Sequence, residues 1–248
     1  MLIENERGHY AFLKGIAPYS SGAAALSGYE IVYATLKQPL PWREGFECVD
    51  AHLQSIGRDR HALCVIVLRC PEPYSMQGFV DFNGLYCSVL EEWGLYVDDM
   101  NPVARTNVSP EFAMPEEPAL YAFSYTIPAD HDGLTFVAAG AGELNSPNLV
   151  AEAIIRRGDL SVDAMREKAA YVMDVMEKRL TGLGGTWGNV TAVGVYTVHP
   201  IIEVLKEIVF SRMDSAAIHG VQWFQARPPI LEIEFEMDLR GVKKEIII

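Results

Sequence analysis

Apolar and polar positions along this chain switch between two periods, and the switches come in the same order in both halves. Residues 29–36 (YEIVYATL) are apolar, β-branched and aromatic, which predicts a strand. Residues 43–56 then place Phe46, Val49, Leu53 and Ile56 three or four apart, the spacing of a buried helix face, and Gly57 ends the pattern. A continuous apolar run at 61–70 (HALCVIVLRC), closed by Pro71, predicts a buried strand. A second helix is expected at 79–93 and a further strand at 120–127 (LYAFSYTI).

The second half repeats this order. A strand is expected at 134–139. A helix at 162–180 begins after Ser161 and carries Met165, Ala169, Val172, Met173, Met176 and Leu180 on one side. A strand at 189–198, closed by Pro200, and a helix at 201–210 follow. In the run 231–239, Leu231, Ile233, Phe235, Met237 and Leu239 alternate with Glu232, Glu234, Glu236 and Asp238, which predicts a last strand with one acidic face. Arg43-Glu44 recurs as Arg166-Glu167, and the strand-closing Pro71 recurs as Pro200. Such a repeat predicts two related units, 1–128 and 129–248, joined by a short turn-rich segment at 128–133 (PADHDG).

Composition narrows the function. With 248 residues and half of them hydrophobic, the chain can bury a substantial core. It has no run of eighteen apolar residues, and its first ten residues lack a signal peptide's basic start and apolar stretch, so a soluble, cytoplasmic protein is expected. Cys48, Cys64, Cys70 and Cys87 form no C-x-x-C pair and have no zinc-like spacing to a histidine; they read as free thiols, and no metal site is expected. A net charge of −13 repels nucleic acid, which disfavours a nuclease. A small anion remains a suitable partner, since one nearby arginine outweighs a distant negative surface.

Three segments carry a family resemblance. APYSSG at 17–22 with Tyr19, DFNGLY at 81–86 with Asn83, and PVARTNV at 102–108 with Arg105 together resemble the RidA/YjgF family. The resemblance covers nearly the whole chain as two copies. It implies an α+β, chorismate mutase-like fold in each unit: a mixed sheet with helices on one face. It further implies active sites in clefts between units and a homo-oligomer, a trimer or a multiple of one. The activity implied is that of a cofactor-independent hydrolase acting on C–N bonds, an imine or enamine deaminase, with 2-aminomuconate-type acids the favoured substrates. A carboxylate-binding or regulatory protein of the same fold is the alternative.

On this resemblance Arg105 would clamp the substrate carboxylate, with Tyr19 and Asn83 beside it. Guanidinium suits that task because its planar fork matches a carboxylate in two parallel hydrogen bonds. The second half lacks a matching arginine and brings His219 near the clamp position, whereas the last-strand acid is missing from the first half and present in the second as Glu236. One composite site per chain is therefore expected, with Arg105 and Glu236 on the same cleft. Gly140, in AAGAGEL, matches a strand end whose backbone would contact substrate, and Glu143 is a second acidic candidate. A dicarboxylate would call for another cation, for which Arg227, Lys37 and His219 are the candidates.

Overall fold

The computed structural model describes residues 2–130, 133–146 and 148–248. Along the first half run β1 (Leu2–Asn5), β2 (Tyr10–Leu13), β3 (Gly22–Ala25), β4 (Tyr29–Pro41), α1 (Trp42–Ser55), β5 (Leu63–Arg69), α2 (Met76–Glu92), β6 (Ala104–Pro110) and β7 (Ala119–Pro128). The second half supplies β8 (Phe136–Gly142), α3 (Val162–Gly182), β9 (Ala192–Tyr196), β10 (Gln222–Phe224), β11 (Ala226–Arg227), β12 (Glu236–Gly241) and β13 (Lys244–Ile247). The strands form two mixed sheets, one ordered β11-β6-β5-β7-β4-β13 and the other β1-β2-β3-β8-β12-β9-β10.

The sheets lie face to face, with helices outside each. Strand β5 shows why, because it is apolar on both sides and must be covered twice. Its Ile66 and Leu68 pack with Phe46, Val49 and Leu53 of α1 and Phe82, Tyr86 and Leu90 of α2. Its Val65 and Val67 turn the other way and meet Tyr10, Phe12, Val137 and Ala139 of the second sheet. The outer core of that sheet is built on α3, whose predicted stripe from Met165 to Leu180 is buried throughout. Each such side chain contributes about 1.5–3 kcal/mol. Both sheets are thus mixed and carry helices on one face. No described helix is long and apolar enough to cross a membrane.

Several expectations change. Residues 231–235 are not a strand: Glu232 has a φ of 72°, and the backbone just before it bonds Tyr74, whose N–H donates to the Pro229 carbonyl and whose carbonyl accepts from the Leu231 N–H. The strand starts only at Glu236. Its acidic face is not solvated, for Glu236 and Asp238 are 4% and 7% exposed beneath the first sheet. The helix expected at 201–210 is a short α-turn followed by a π-turn at 205–209 and 3₁₀ turns. Buried Val204 and Val209 are five residues apart, and the wider π-turn keeps both on the inner side.

Sheet membership also crosses the expected division at residue 128. Strands β1–β3 join the second sheet, while β11 and β13 join the first. The expected junction at 128–133 includes residues 131 and 132, which lie outside the described residues.

Candidate active site

The site begins with a short segment fastened to the strand that follows it in space. Ser20 donates through its hydroxyl to the Pro102 carbonyl and through its N–H to Val103, and Asn101 donates to the Pro18 carbonyl. These bonds hold Tyr19 against the start of β6, where Arg105 stands. The Arg105 guanidinium is 3% exposed and sits over the rings of Tyr19 at 4.5 Å and Tyr86 at 4.7 Å, with Phe79 and Phe82 further round. Phe79, Phe82, Asn83 and Tyr86 are three or four apart on the inner face of α2, a helix capped by the Ser75 hydroxyl. Asn83 accepts a hydrogen bond from Arg105 Nη2 at 2.6 Å. Arg105 Nη1 is buried and has no hydrogen-bond partner among the described residues.

Arg105 and Glu236 line the same cavity, a space of about 430 Å³ that also meets Tyr19, Gly140, Asn107 and Arg179. The two residues expected on one cleft thus meet in one cavity within the chain, one from each sheet. Glu236 makes no hydrogen bond among the described residues. Burial, reinforced by the nearby Asp238 carboxylate, pushes its pKa well above the ordinary glutamate value, and Arg179 and Arg105 offset only part of the rise. Such a carboxyl keeps its proton where ordinary glutamates have lost theirs.

Gly140 faces this carboxyl directly. A Cβ there would lie 2.2 Å from Glu236 Oε1, so glycine makes the room the acid occupies. Its backbone groups are already engaged: the N–H donates to Thr106 Oγ1 and the carbonyl accepts from Arg179 Nη1. Thr106 in turn donates to Asp238 Oδ2, which also accepts from the Tyr196 hydroxyl. Through these bonds Gly140, which also lines the cavity, helps tie the two sheets together.

Two other candidates lie elsewhere. Glu143 is fully buried but faces Lys168 Nζ at 3.1 Å and accepts from the N–H groups of Glu234 and Phe235. It fixes the approach to β12 and does not line the cavity. His219 is exposed at the end of a 3₁₀ segment, away from the cavity. Among the cations considered for a second carboxylate, Arg227 pairs with Glu111 and Lys37 is exposed; neither lines the cavity.

A family model described as 2-aminomuconate deaminase CnbZ matches residues 2–246. The chain belongs to that family. A curated relative, 2-amino-5-chloromuconate deaminase of Comamonas testosteroni, is 37% identical over 244 residues, covering 97% of this chain and 96% of the relative. Among solved structures, a chorismatase aligns over 97% of this chain and 79% of its own with a TM-score of 0.53 at 11% identity, a likeness of fold alone. A putative endoribonuclease from Thermotoga maritima covers 54% of this chain and 91% of its own at 17% identity, with a TM-score of 0.34 that carries no argument.

Family membership directs attention to the cavity residues that the sequence reading passed over. Asn107 is 3% exposed, and both of its side-chain amide atoms lack partners among the described residues. It stands two residues after Arg105 on β6, on the same side of the strand. Arg179 lies on α3 in step with Val172 and Met176, so it, like the buried Lys168 near the start of the helix, sets a charge into a mainly apolar stripe. That interruption was the available signal. Lys14 is exposed at the rim.

Proposed function

We propose that the protein is a deaminase that converts the enamine or imine of a 2-aminomuconate-type acid into the 2-oxo acid and ammonia in this cavity. The reading rests above all on one pairing: an arginine with a free Nη1 shares a cavity with a glutamic acid that has no hydrogen-bond partner. The name of the Comamonas testosteroni relative supports the substrate class.

Arg105 Nη1, with the Asn107 amide beside it, holds the carboxylate next to the amino carbon. Protonated Glu236 gives its proton to the terminal carbon of the enamine, which leaves an iminium carbon. Water adds there, and the Glu236 carboxylate takes the proton that the water sheds. Passing that proton to nitrogen lets the C–N bond break: ammonia leaves, the hydroxyl oxygen becomes the carbonyl, and its proton returns to the Glu236 carboxylate. One water is consumed, one ammonia is released, and no electrons change hands. The reaction is a hydrolysis run by protein groups and water. General acid–base assistance of this kind contributes typically about 10²–10⁴-fold.

A protein that only bound carboxylates would have no use for a buried, unbonded Glu236, which lowers stability near neutrality. The test is ammonia release from freshly generated 2-aminomuconate. Glu236→Gln is expected to lose kcat with little change in binding, and Arg105→Ala to raise KM. Saturable binding by the wild type without ammonia release would overturn the proposal in favour of the carboxylate-binding alternative.

A further inference from the structure

We infer that the cavity has two anion-binding poles, and that the second, Arg179, binds the distal carboxylate of a dicarboxylate and so decides which acids are accepted. The inference deepens the deaminase reading and takes its substrate class from it, but the binding it predicts can be measured without turnover.

Arg179 Nη1 is fixed by the carbonyls of Ala139 at 2.7 Å and Gly140 at 3.0 Å. Its Nε and Nη2 have no protein acceptor among the described residues. Carboxylates are near at hand on its own helix, yet they turn away: Asp174 and Glu177 both pair with Arg212, at 2.6 and 2.7 Å. The one acid that lines the cavity, Glu236, makes no hydrogen bond or ion pair to either arginine among the described residues. Arg105, bonded to Asn83, is likewise without a carboxylate partner among the described residues. In a chain with thirty-three acidic and twenty basic residues, two guanidinium groups thus face one cavity uncompensated.

Removing a guanidinium from water without a counter-ion is unfavourable, and a ligand carrying two carboxylates offsets both charges at once. Arg105 and Asn107 come from the first sheet, while Arg179 comes from the helix over the second. Glu236 lines the same cavity as both arginines. A substrate held at both ends would therefore lie in the space that Glu236 faces. Lys14, exposed on the rim beside Arg179 and without an ion pair among the described residues, adds positive charge at the mouth. Apolar Phe79, Leu144, Ile230 and Ile233 line the space and suit an unsaturated carbon chain.

The deciding experiment compares two unreactive probes that differ by one carboxylate, hexa-2,4-dienedioate and hexa-2,4-dienoate, by titration calorimetry. The wild type is expected to bind the diacid about 10- to 100-fold more tightly, the gain from one charge-assisted contact. Arg179→Gln should erase that preference and leave monoacid affinity unchanged, and Arg179→Lys should restore part of it. Lys14→Gln should weaken diacid binding by a smaller, salt-sensitive factor. Equal affinities in the wild type would overturn the inference whether or not any Arg179 variant folds. Equal loss of both probes in a folded Arg179→Gln would also overturn it, leaving Arg179 only the task of holding the Ala139 and Gly140 carbonyls. Diacid preference without ammonia release would uphold the second pole and sink the deaminase reading. Ammonia release from 2-amino monoacids and diacids alike would do the reverse.

Discussion

Two buried glutamates on adjoining parts of the second sheet have opposite surroundings. Glu143 meets a lysine and two backbone N–H groups, whereas Glu236 meets no donor among the described residues. Both lie out of solvent, and burial raises the pKa of both. Burial alone therefore does not mark the reactive acid. What distinguishes Glu236 is the lack of any hydrogen-bond donor together with an open cavity in front of it. Glu143 spends its lone pairs on shape; Glu236 keeps its own for something that arrives.

The contrast can be broken at either residue. The largest effect expected is on turnover. Glu236→Gln keeps the volume and removes the proton, and kcat should fall by about 10²–10⁴-fold; Glu143→Gln, provided it folds, should leave kcat within a small factor. Stability should show the opposite ranking. Glu143→Gln strands Lys168 as an unpaired buried charge and should destabilise the protein by about 3–5 kcal/mol in denaturant titrations. Adding Lys168→Met should recover much of that loss, since removing both partners is far milder than removing one. No recovery in the double variant would show that the pair does more than satisfy itself.

Gly140→Ala tests the room that Glu236 occupies. The new methyl group meets Glu236 Oε1, so the carboxyl must move, and a destabilisation of about 1–3 kcal/mol with reduced kcat is expected. Unchanged activity would mean that the carboxyl position is not critical.

The smallest effect separates the two acids by pH. A folded-state pKa above the unfolded value means that folded Glu236 holds a proton which the unfolded chain has already released. Stability from this group is full below the ordinary carboxylate value and is lost as pH rises through the folded value. Glu236→Gln removes that loss, so the variant should match the wild type in acid and exceed it near neutrality by about 1–2 kcal/mol. Turnover should fall over the same upper range as the acid ionises. A variant no more stable than the wild type at neutral pH would contradict the raised pKa.

The part of the site built locally was legible in the sequence. Tyr19, Asn83 and Arg105 lie in short segments whose order could be recognised, and helix periodicity gave the inner faces of α1, α2 and α3. The second half was harder. Alternation at 231–239 looked uniform, but period two cannot tell a strand from an extended loop, and the positive φ at Glu232 and the bonds to Tyr74 depend on distant residues. Arg179 was hidden because one charge in a strong apolar stripe reads as a boundary residue until its neighbours are known. Asn107 stood inside a recognised motif but drew no attention, because its missing partners are a property of the folded chain. Strands β1–β3 escaped the reading altogether: GAAA in β3 has no strand pattern of its own and is held by β2 and β8.

The exchange of strands between the sheets bears on how the chain can be made and divided. Residues 10–13 pair with 22–25, which bind β8 beyond residue 136, while Lys244–Ile247 returns to lie parallel to β4 at residues 32–35. A polypeptide leaving the ribosome therefore cannot finish either layer early. Its opening strands wait for partners made much later, and the first sheet lacks one edge until residue 247 has emerged. Cutting the gene near codon 128 would yield two fragments, each missing strands carried by the other. They should be poorly soluble apart and should regain structure only when synthesised together.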